Sequence, residues 1–102
     1  MTFGEIIAEG RKKANLSQKE LANLIKKEDG ESISPQYLND LERDRRNPPS
    51  DFLIKQFAKV LDLELDVLYY CAGKLPADVM SAKADKEKVV AAYKAFRKVL
   101  NK

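Results

Sequence analysis

The sequence predicts an all-α fold, with five short helices in residues 1–74 and one further amphipathic helix within residues 75–102. Apolar residues recur at steps of three and four, which is the spacing that places them on one face of a helix. No segment of strand length alternates apolar with polar residues. With 102 residues, 44% of them hydrophobic and 34% charged, we expect one compact domain followed by a linker and a separate helix.

An apolar stripe predicts the first helix, over residues 3–13, and a capping box predicts the start of the second. Ser17 and Glu20 have the spacing at which the Ser17 hydroxyl accepts from the Glu20 amide and the Glu20 carboxylate accepts from the Ser17 amide. We expect the second helix to run through Lys27 until Asp29-Gly30 forces a turn. Its expected buried residues are Leu21, Ala22, Leu24 and Ile25.

Ser34 and Pro35 mark the start of a third helix. We expect Ser34 to be the N-cap, and Pro35 suits the first helical position because its missing N–H has no partner there. Leu38 and Leu41 are expected to face the core. The helix has to end before residues 47–49, Asn-Pro-Pro, because each proline disfavours helical geometry in the residue before it.

Three helices are predicted after the prolines. Apolar residues around Phe57 mark the fourth, and those around Leu68 mark a fifth that Gly73 is expected to cap. A last helix is expected over residues 85–101, with lysines on one face and an apolar stripe on the other. The stripe needs a partner, which is either the chain's own domain or a second copy of the chain. Its residues, the dimerisation candidates, are Val89, Tyr93, Phe96 and Leu100.

The composition argues against an enzyme, a metal site and a disulfide. The chain has no histidine, one cysteine, and four glycines that are scattered rather than gathered in a phosphate-binding loop. Cys71 lies in an apolar run and is expected to be a small core residue. We therefore expect no enzyme activity, no metal and no cofactor. No apolar run reaches the roughly 18 residues of a membrane span and no signal peptide is evident, so we expect a cytoplasmic protein without membrane contact.

The charge is distributed unevenly along the chain. The net charge is +3, but residues 1–82 contain 12 basic and 14 acidic residues, whereas residues 83–102 contain seven basic and two acidic ones. The total charge therefore says little about the main domain. A case for nucleic-acid binding there must depend on where particular basic residues cluster.

The third helix carries polar residues away from its expected buried face. Two short helices joined by a connection, the second polar at its N-terminal end, form a helix-turn-helix arrangement. An α-helix fits the major groove of B-DNA, where amide side chains suit adenine and arginine suits guanine. Ordinary solvated residues are the alternative explanation. The residues that we call the reading edge are Gln36, Tyr37, Asn39, Asp40 and Arg43.

Three runs of the sequence resemble a known family: LSQKELANLI, ISPQYLNDLERDRRNPP and FAKVLDLELDVLYYCAG. Over residues 3–73 the chain is similar to the DNA-binding domain of phage lambda repressor and Cro-like transcriptional regulators, the XRE family. The resemblance implies a five-helix, lambda repressor-like fold for residues 1–74 and double-stranded DNA as the partner. The connection at residues 26–33 is several residues longer than is usual in the family, and Asp44 stands where the family often has glycine.

The resemblance also implies roles for individual residues. Arg11 and Glu42 match the family's structural ion pair between the first and third helices. Ser34 falls, with the reading edge, where the family contacts base edges. Ion pairs with neighbouring acids are the alternative role for the arginines after the third helix. DNA-backbone contacts are implied for Gln18, Lys19, Arg45, Arg46 and Asn47.

These observations predict a sequence-specific DNA-binding transcriptional regulator, and we expect a repressor that acts as a homodimer. Because one reading helix recognises only a short site, two copies would bind an inverted-repeat operator with half-sites about one helical turn, roughly 34 Å, apart. The alternative is an antitoxin-like protein-interaction module whose C-terminal helix binds another protein. The negative balance of residues 1–82 and the unpartnered stripe of the last helix favour this alternative.

Overall fold

The computed structural model describes residues 1–101 and confirms the all-α prediction. The described residues contain no strand, and their β structure is limited to an isolated antiparallel bridge between Lys26 and Ser32. The helices of this part of the chain are α1 (Phe3–Lys13), α2 (Gln18–Leu24), α3 (Pro35–Glu42), α4 (Asp51–Leu61), α5 (Leu65–Cys71), α6 (Ala77–Met80) and α7 (Lys86–Leu100).

The core is built by the first five helices. α1 packs against α3, α4 and α5, while α2 packs against α3 and α4 against α5. Phe3 and Phe57 meet edge to face with their ring centroids 6.5 Å apart. Full burial of one large apolar side chain stabilises a fold by about 1.5–3 kcal/mol. The buried core residues are Phe3, Ile7, Leu21, Ala22, Ile25, Ile33, Leu38, Leu41, Leu53, Ile54, Phe57, Ala58, Leu61, Leu68 and Tyr69.

Side-chain caps begin several of these helices. Ser17 Oγ accepts from the Glu20 amide at 3.0 Å and Glu20 Oε1 accepts from the Ser17 amide at 2.9 Å, which confirms the predicted capping box. The bond from the Ser17 amide, together with hydrogen bonding from the Ser17 side chain, favours the carboxylate form and lowers the pKa of Glu20. Ser34 caps α3 as predicted, with Pro35 in the first turn, and Asp85 caps α7.

The prediction that the second helix runs through Lys27 is wrong. α2 ends at Leu24, and Ile25 already has extended backbone with φ −99° and ψ 118°. Residues 25–33 form a small hairpin, in which Lys27 N donates to the Glu31 carbonyl at 2.8 Å. The long connection is therefore a defined element, called the hairpin below.

Interactions outside α2 favour the hairpin over continued helix. The Gln56 side chain on α4 accepts from the Lys26 amide at 2.6 Å and donates to the Lys26 carbonyl, as a neighbouring strand would. Ile25 and Ile33 are both buried, whereas Leu24, which we expected in the core, is 50% exposed. Tertiary packing thus overrides the helical pattern of the sequence.

The C-terminal helices contribute no side chain to the buried core. α6 is a four-residue helix within the predicted linker, and α7 confirms the helix expected over residues 85–101. The rings of Tyr70 and Phe96 approach with centroids 6.4 Å apart. Even so, the apolar stripe stays accessible in this structure, since its four residues are between 42% and 53% exposed. These stripe residues are Val89, Tyr93, Phe96 and Leu100.

Candidate nucleic-acid interface

α2 and α3 form a helix-turn-helix pair whose connection is the hairpin. Leu38 and Leu41 are buried at 0% and 1% exposure. Because helical residues repeat every 3.6 positions, burying these two turns the polar residues around them outward. Gln36 and Arg43 are exposed, and the other three residues of the reading edge are half-buried. Four of the five predicted residues therefore keep an accessible side on α3, and the fifth, Arg43, is accessible at the C-cap of this helix.

Gln18 connects α2 to the reading edge. Its Nε2 donates to Asn39 Oδ1 at 3.1 Å and to Glu42 Oε1 at 3.0 Å. The side-chain amide of Gln18 is thus already engaged, whereas its backbone amide lies in the first turn of α2, where the N–H groups have no intrahelical acceptor. Gln18 occupies one of the two lone pairs of Asn39 Oδ1, so the Asn39 side chain keeps one acceptor site and its two amide N–H donors.

Glu42 also forms an ion pair with Arg11, and this pair attaches α3 to α1. Arg11 Nε lies 2.7 Å from Glu42 Oε2 and Nη2 lies 3.0 Å from Oε1, with the side chains 13% and 5% exposed. The hydrogen bonds to Glu42 stabilise the charged guanidinium and raise the pKa of Arg11. Arg11 Nη1 donates to the Leu16 carbonyl at 2.9 Å. The predicted pair is therefore present and also fixes the loop that precedes α2.

Arg45 and Arg46, on the loop after α3, lie beside Asp40. Arg45 Nη1 is 3.9 Å from Asp40 Oδ1 and Arg46 Nε is 4.0 Å from Oδ2, while Gln36 Nε2 donates to Oδ1 at 3.1 Å. The Arg46 guanidinium carbon lies 5.2 Å from the centroid of the Tyr37 ring. Burial raises the pKa of Tyr37, and the charge of Arg46 opposes that shift. We call these five residues the Asp40 cluster.

The loop after α3 is held by a contact that the sequence reasoning missed. Asp44 has a left-handed φ of 57°, and its carboxylate accepts from Thr2 Oγ1 at 2.6 Å and from the Gly4 amide at 2.9 Å. Thr2 also caps α1 by accepting from the Glu5 amide at 3.1 Å. A threonine three residues before a glutamate, ahead of an apolar run, is the signal that indicates such a cap. This Asp44 lock ties residues 45–47 to the start of α1.

Two further residues with predicted backbone contacts are accessible. Lys19 lies in the first turn of α2 and is exposed, and Asn47 is exposed on the loop after α3. The structure thus brings the predicted DNA-backbone residues to the start of α2 and to the loop after α3. Both places adjoin the reading edge, since Gln18 contacts Asn39 and Arg45 approaches Asp40.

Other kinds of site are not seen in residues 1–101. No group of three or more His, Cys, Asp or Glu side chains in this range is placed to hold a metal ion. No helix in this range is both long and apolar enough to cross a membrane. Cys71 is unpaired and half-buried at the edge of the core.

A comparison with protein-family models decides the family. The model described as helix-turn-helix matches residues 7–68, which is more than half of the chain and runs from within α1 into α5. The chain belongs to the XRE family of helix-turn-helix regulators. It is therefore a DNA-binding transcription regulator, not an enzyme.

A solved structure extends the likeness of this XRE family chain beyond the matched domain. A chain in the structure of the SinR protein/SinI protein complex is 25% identical to it, with a TM-score of 0.54. The alignment covers 98% of this chain and 92% of that chain, so it reaches into α7. No curated protein sequence matches the chain.

Proposed function

We propose that this XRE family protein is a sequence-specific repressor that reads the DNA major groove with α3. The observation that carries the proposal is the accessible reading edge, which lies opposite the buried Leu38 and Leu41. A single α-helix fits the major groove, which is about 12 Å wide. A repressor has to reach chromosomal DNA, so the proposal places the protein in the cytoplasm.

Gln36 and Asn39 are the proposed amide readers. A glutamine or asparagine can bond adenine N6 and N7 together, and one such contact discriminates between bases by about 1–3 kcal/mol. Gln36 is exposed and has only to release its bond to Asp40, whereas Asn39 is oriented by Gln18 before DNA arrives. The remaining proposed base-reading residues are Ser34, Tyr37, Asp40 and Arg43.

The proposed backbone contacts position α3 without reading sequence. Arg45 and Arg46 have side chains that are 59% and 58% exposed, and they lie on the loop fixed by the Asp44 lock. Each phosphate neutralised by such a residue makes the logarithm of the binding constant fall by about 0.9 per logarithmic unit of salt. The other proposed backbone residues are Gln18, Lys19 and Asn47.

We propose that α7 pairs two copies of the chain on an inverted-repeat operator. Its apolar stripe remains accessible, and an exposed stripe of this kind is typical of a helix that binds another protein. Pairing adds the base contacts of two reading helices, which a short half-site alone does not provide. The stripe residues that would form the contact are Val89, Tyr93, Phe96 and Leu100.

A second candidate is a module whose α7 binds a different protein. The accessible stripe favours this candidate as well, and the similar solved structure is a complex of SinR protein with SinI protein. Residues 83–102 are strongly basic, so two copies of α7 repel each other, whereas α7 attracts an acidic helix. The two candidates differ in whether the chain dimerises when it is alone.

Selection of bound duplexes from a random DNA pool tests the reading function. We expect an enriched inverted repeat for the wild type, and loss of preference at one base pair of each half-site for Gln36→Ala. Arg45→Ala should weaken binding to all sequences about equally, while Lys59→Ala, an exposed charge on α4, serves as the matched control. Retention of DNA without any enriched sequence would contradict sequence-specific reading.

Substitutions on α7 test the proposed dimer. Phe96→Asp places a charge in the stripe, and we expect a monomer in sedimentation equilibrium with binding to the inverted repeat weakened by about 10²-fold or more. Lys98→Asp changes the opposite face of the same helix and should remain dimeric. A wild type that is monomeric at micromolar concentration would contradict homodimerisation and favour the module.

A further inference from the structure

Asp40 lies among three groups that the proposed function assigns to DNA. Its carboxylate accepts from Gln36 at 3.1 Å and approaches the guanidinium groups of Arg45 and Arg46 at 3.9 Å and 4.0 Å. The Asp40 side chain is 19% exposed, whereas the two arginine side chains are 59% and 58% exposed. The acid is therefore the inner member of the cluster, and the arginines form its accessible outer layer.

The two arginine pairs are suited to exchange. Both distances lie near the limit for an ion pair, and solvent screens the exposed guanidinium groups, so each pair is weak. A DNA phosphate can accept two parallel N–H bonds from one guanidinium, whereas at 3.9 Å and 4.0 Å neither arginine is hydrogen-bonded to Asp40, so the phosphate is the stronger partner here. DNA therefore competes with Asp40 for Arg45 and Arg46.

Asp40 itself gains nothing from a phosphate. Once the arginines have moved to DNA, its carboxylate faces a polyanion without its counter-charges, and like charges brought together in this way are unfavourable. Only a base with a donor in the major groove restores a hydrogen bond, and the N4 amino group of cytosine is the donor that suits a carboxylate. This unfavourable free energy arises on every DNA sequence, but it is offset only where a cytosine amino group lies opposite Asp40.

We propose that Asp40 is a specificity-determining residue that suppresses non-specific binding by holding Arg45 and Arg46 and by requiring a base donor in exchange. The inference rests on the proposed DNA-reading function of α3. It explains why a helix that is meant to approach DNA carries an acid between Gln36 and Arg43. Asp40 lowers the affinity for all sequences and least for the operator, which increases the ratio between the two affinities.

Asp40→Asn in the full chain tests the proposal, because asparagine keeps the shape and can still accept from Gln36 while the charge is lost. Fluorescence anisotropy would measure binding to a random-sequence duplex and to the selected operator over a series of salt concentrations. We expect affinity for the random duplex to rise about tenfold, with a salt slope steeper by about one. Affinity for the operator should rise much less. Asp66→Asn makes the same charge change at an exposed residue of α5 and should leave both affinities unchanged.

A second background separates the cluster from a general charge effect. In Arg45→Gln/Arg46→Gln, Asp40→Asn should raise the affinity for the random duplex much less than in the wild type, because no arginines remain to be released and only the repulsion between Asp40 and the phosphates is relieved. An equal rise with and without the arginines would overturn the proposal. The proposal would also be overturned if the single substitutions Asp40→Asn and Asp66→Asn gave the same affinity for the random duplex and the same salt slope, provided that the wild type binds DNA. Failure of the wild type to bind any duplex at low salt would instead overturn the reading function on which the inference rests.

Discussion

Glu42→Gln tests whether the buried ion pair holds α3 in place. Glu42 is 5% exposed and accepts two hydrogen bonds from Arg11 and one from Gln18. Glutamine preserves the volume of the side chain but removes the charge and replaces one acceptor oxygen with a donor. The Arg11 guanidinium then loses its counter-charge, although the side chain is only 13% exposed.

The expected loss follows from the burial of the pair. Removing one partner of a fully buried pair costs about 3–5 kcal/mol, and losing a hydrogen bond to a charged group costs about 1.5–3 kcal/mol. Arg11 keeps its bond to the Leu16 carbonyl. We therefore expect Glu42→Gln to lower the free energy of unfolding by about 3 kcal/mol, which is the value that the two ranges share. For a domain of this size, a loss of that magnitude lowers the unfolding temperature by roughly 12–24 °C.

Urea unfolding followed by circular dichroism measures the free energy of unfolding at neutral pH. The control is Arg11→Met/Glu42→Met, which removes both charges together and should lose less stability than Glu42→Gln, because no unpaired charge remains. A loss below about 1 kcal/mol for Glu42→Gln, the magnitude of an exposed surface pair, would refute the view that this pair anchors α3.

Three further outcomes are expected. Gly4→Ala should lower the free energy of unfolding by about 3 kcal/mol in urea, because a Cβ there would lie 2.4 Å from the Leu41 carbonyl oxygen. Gly10→Ala on the same helix is the control and should stay within about 1 kcal/mol of the wild type. The lowered pKa of Glu20 adds stability that is present at a pH above the ordinary pKa of 4.5 and is lost as the pH falls through the lower pKa of the folded state. Glu20→Gln should therefore flatten the acid side of a plot of unfolding temperature against pH. Tyr69→Phe should change the free energy of unfolding by about 1 kcal/mol or less, because the buried hydroxyl has no partner at good hydrogen-bond geometry among residues 1–101 and faces the nearby charge of Asp51. A larger loss in urea unfolding would contradict this.

The helix starts could be predicted because their signals are local. Ser17 and Glu20 interact across three residues, and Ser34 with Pro35 needs only the turn that follows. The end of α2 could not be predicted in the same way. The side chain that satisfies the Lys26 backbone belongs to Gln56, 30 residues later, and no pattern within the second helix indicates that contact.

The same distinction applies to the candidate site. The reading edge follows from helical periodicity once Leu38 and Leu41 are assigned to the core, and the ion pair of Arg11 with Glu42 follows from the family resemblance. The Asp44 lock joins residues 42 positions apart in the sequence. Its geometry depends on how α1 packs against α3. A pattern in the sequence therefore predicts that Thr2 caps α1, but not that Asp44 binds Thr2.

The longer connection between α2 and α3 attaches α3 to the rest of the domain instead of making it more mobile. The hairpin is bonded to α4 through Gln56 and leads through the buried Ile33 directly into Ser34, the cap of α3. The other end of α3 is attached to α1, because Glu42 receives Arg11. A helix that reads bases with short amide side chains needs a fixed position and angle, since its hydrogen bonds weaken steeply with misalignment. Attachment at both ends supplies that rigidity, and it leaves the exposed arginine side chains of the Asp40 cluster as the groups that can rearrange when DNA binds.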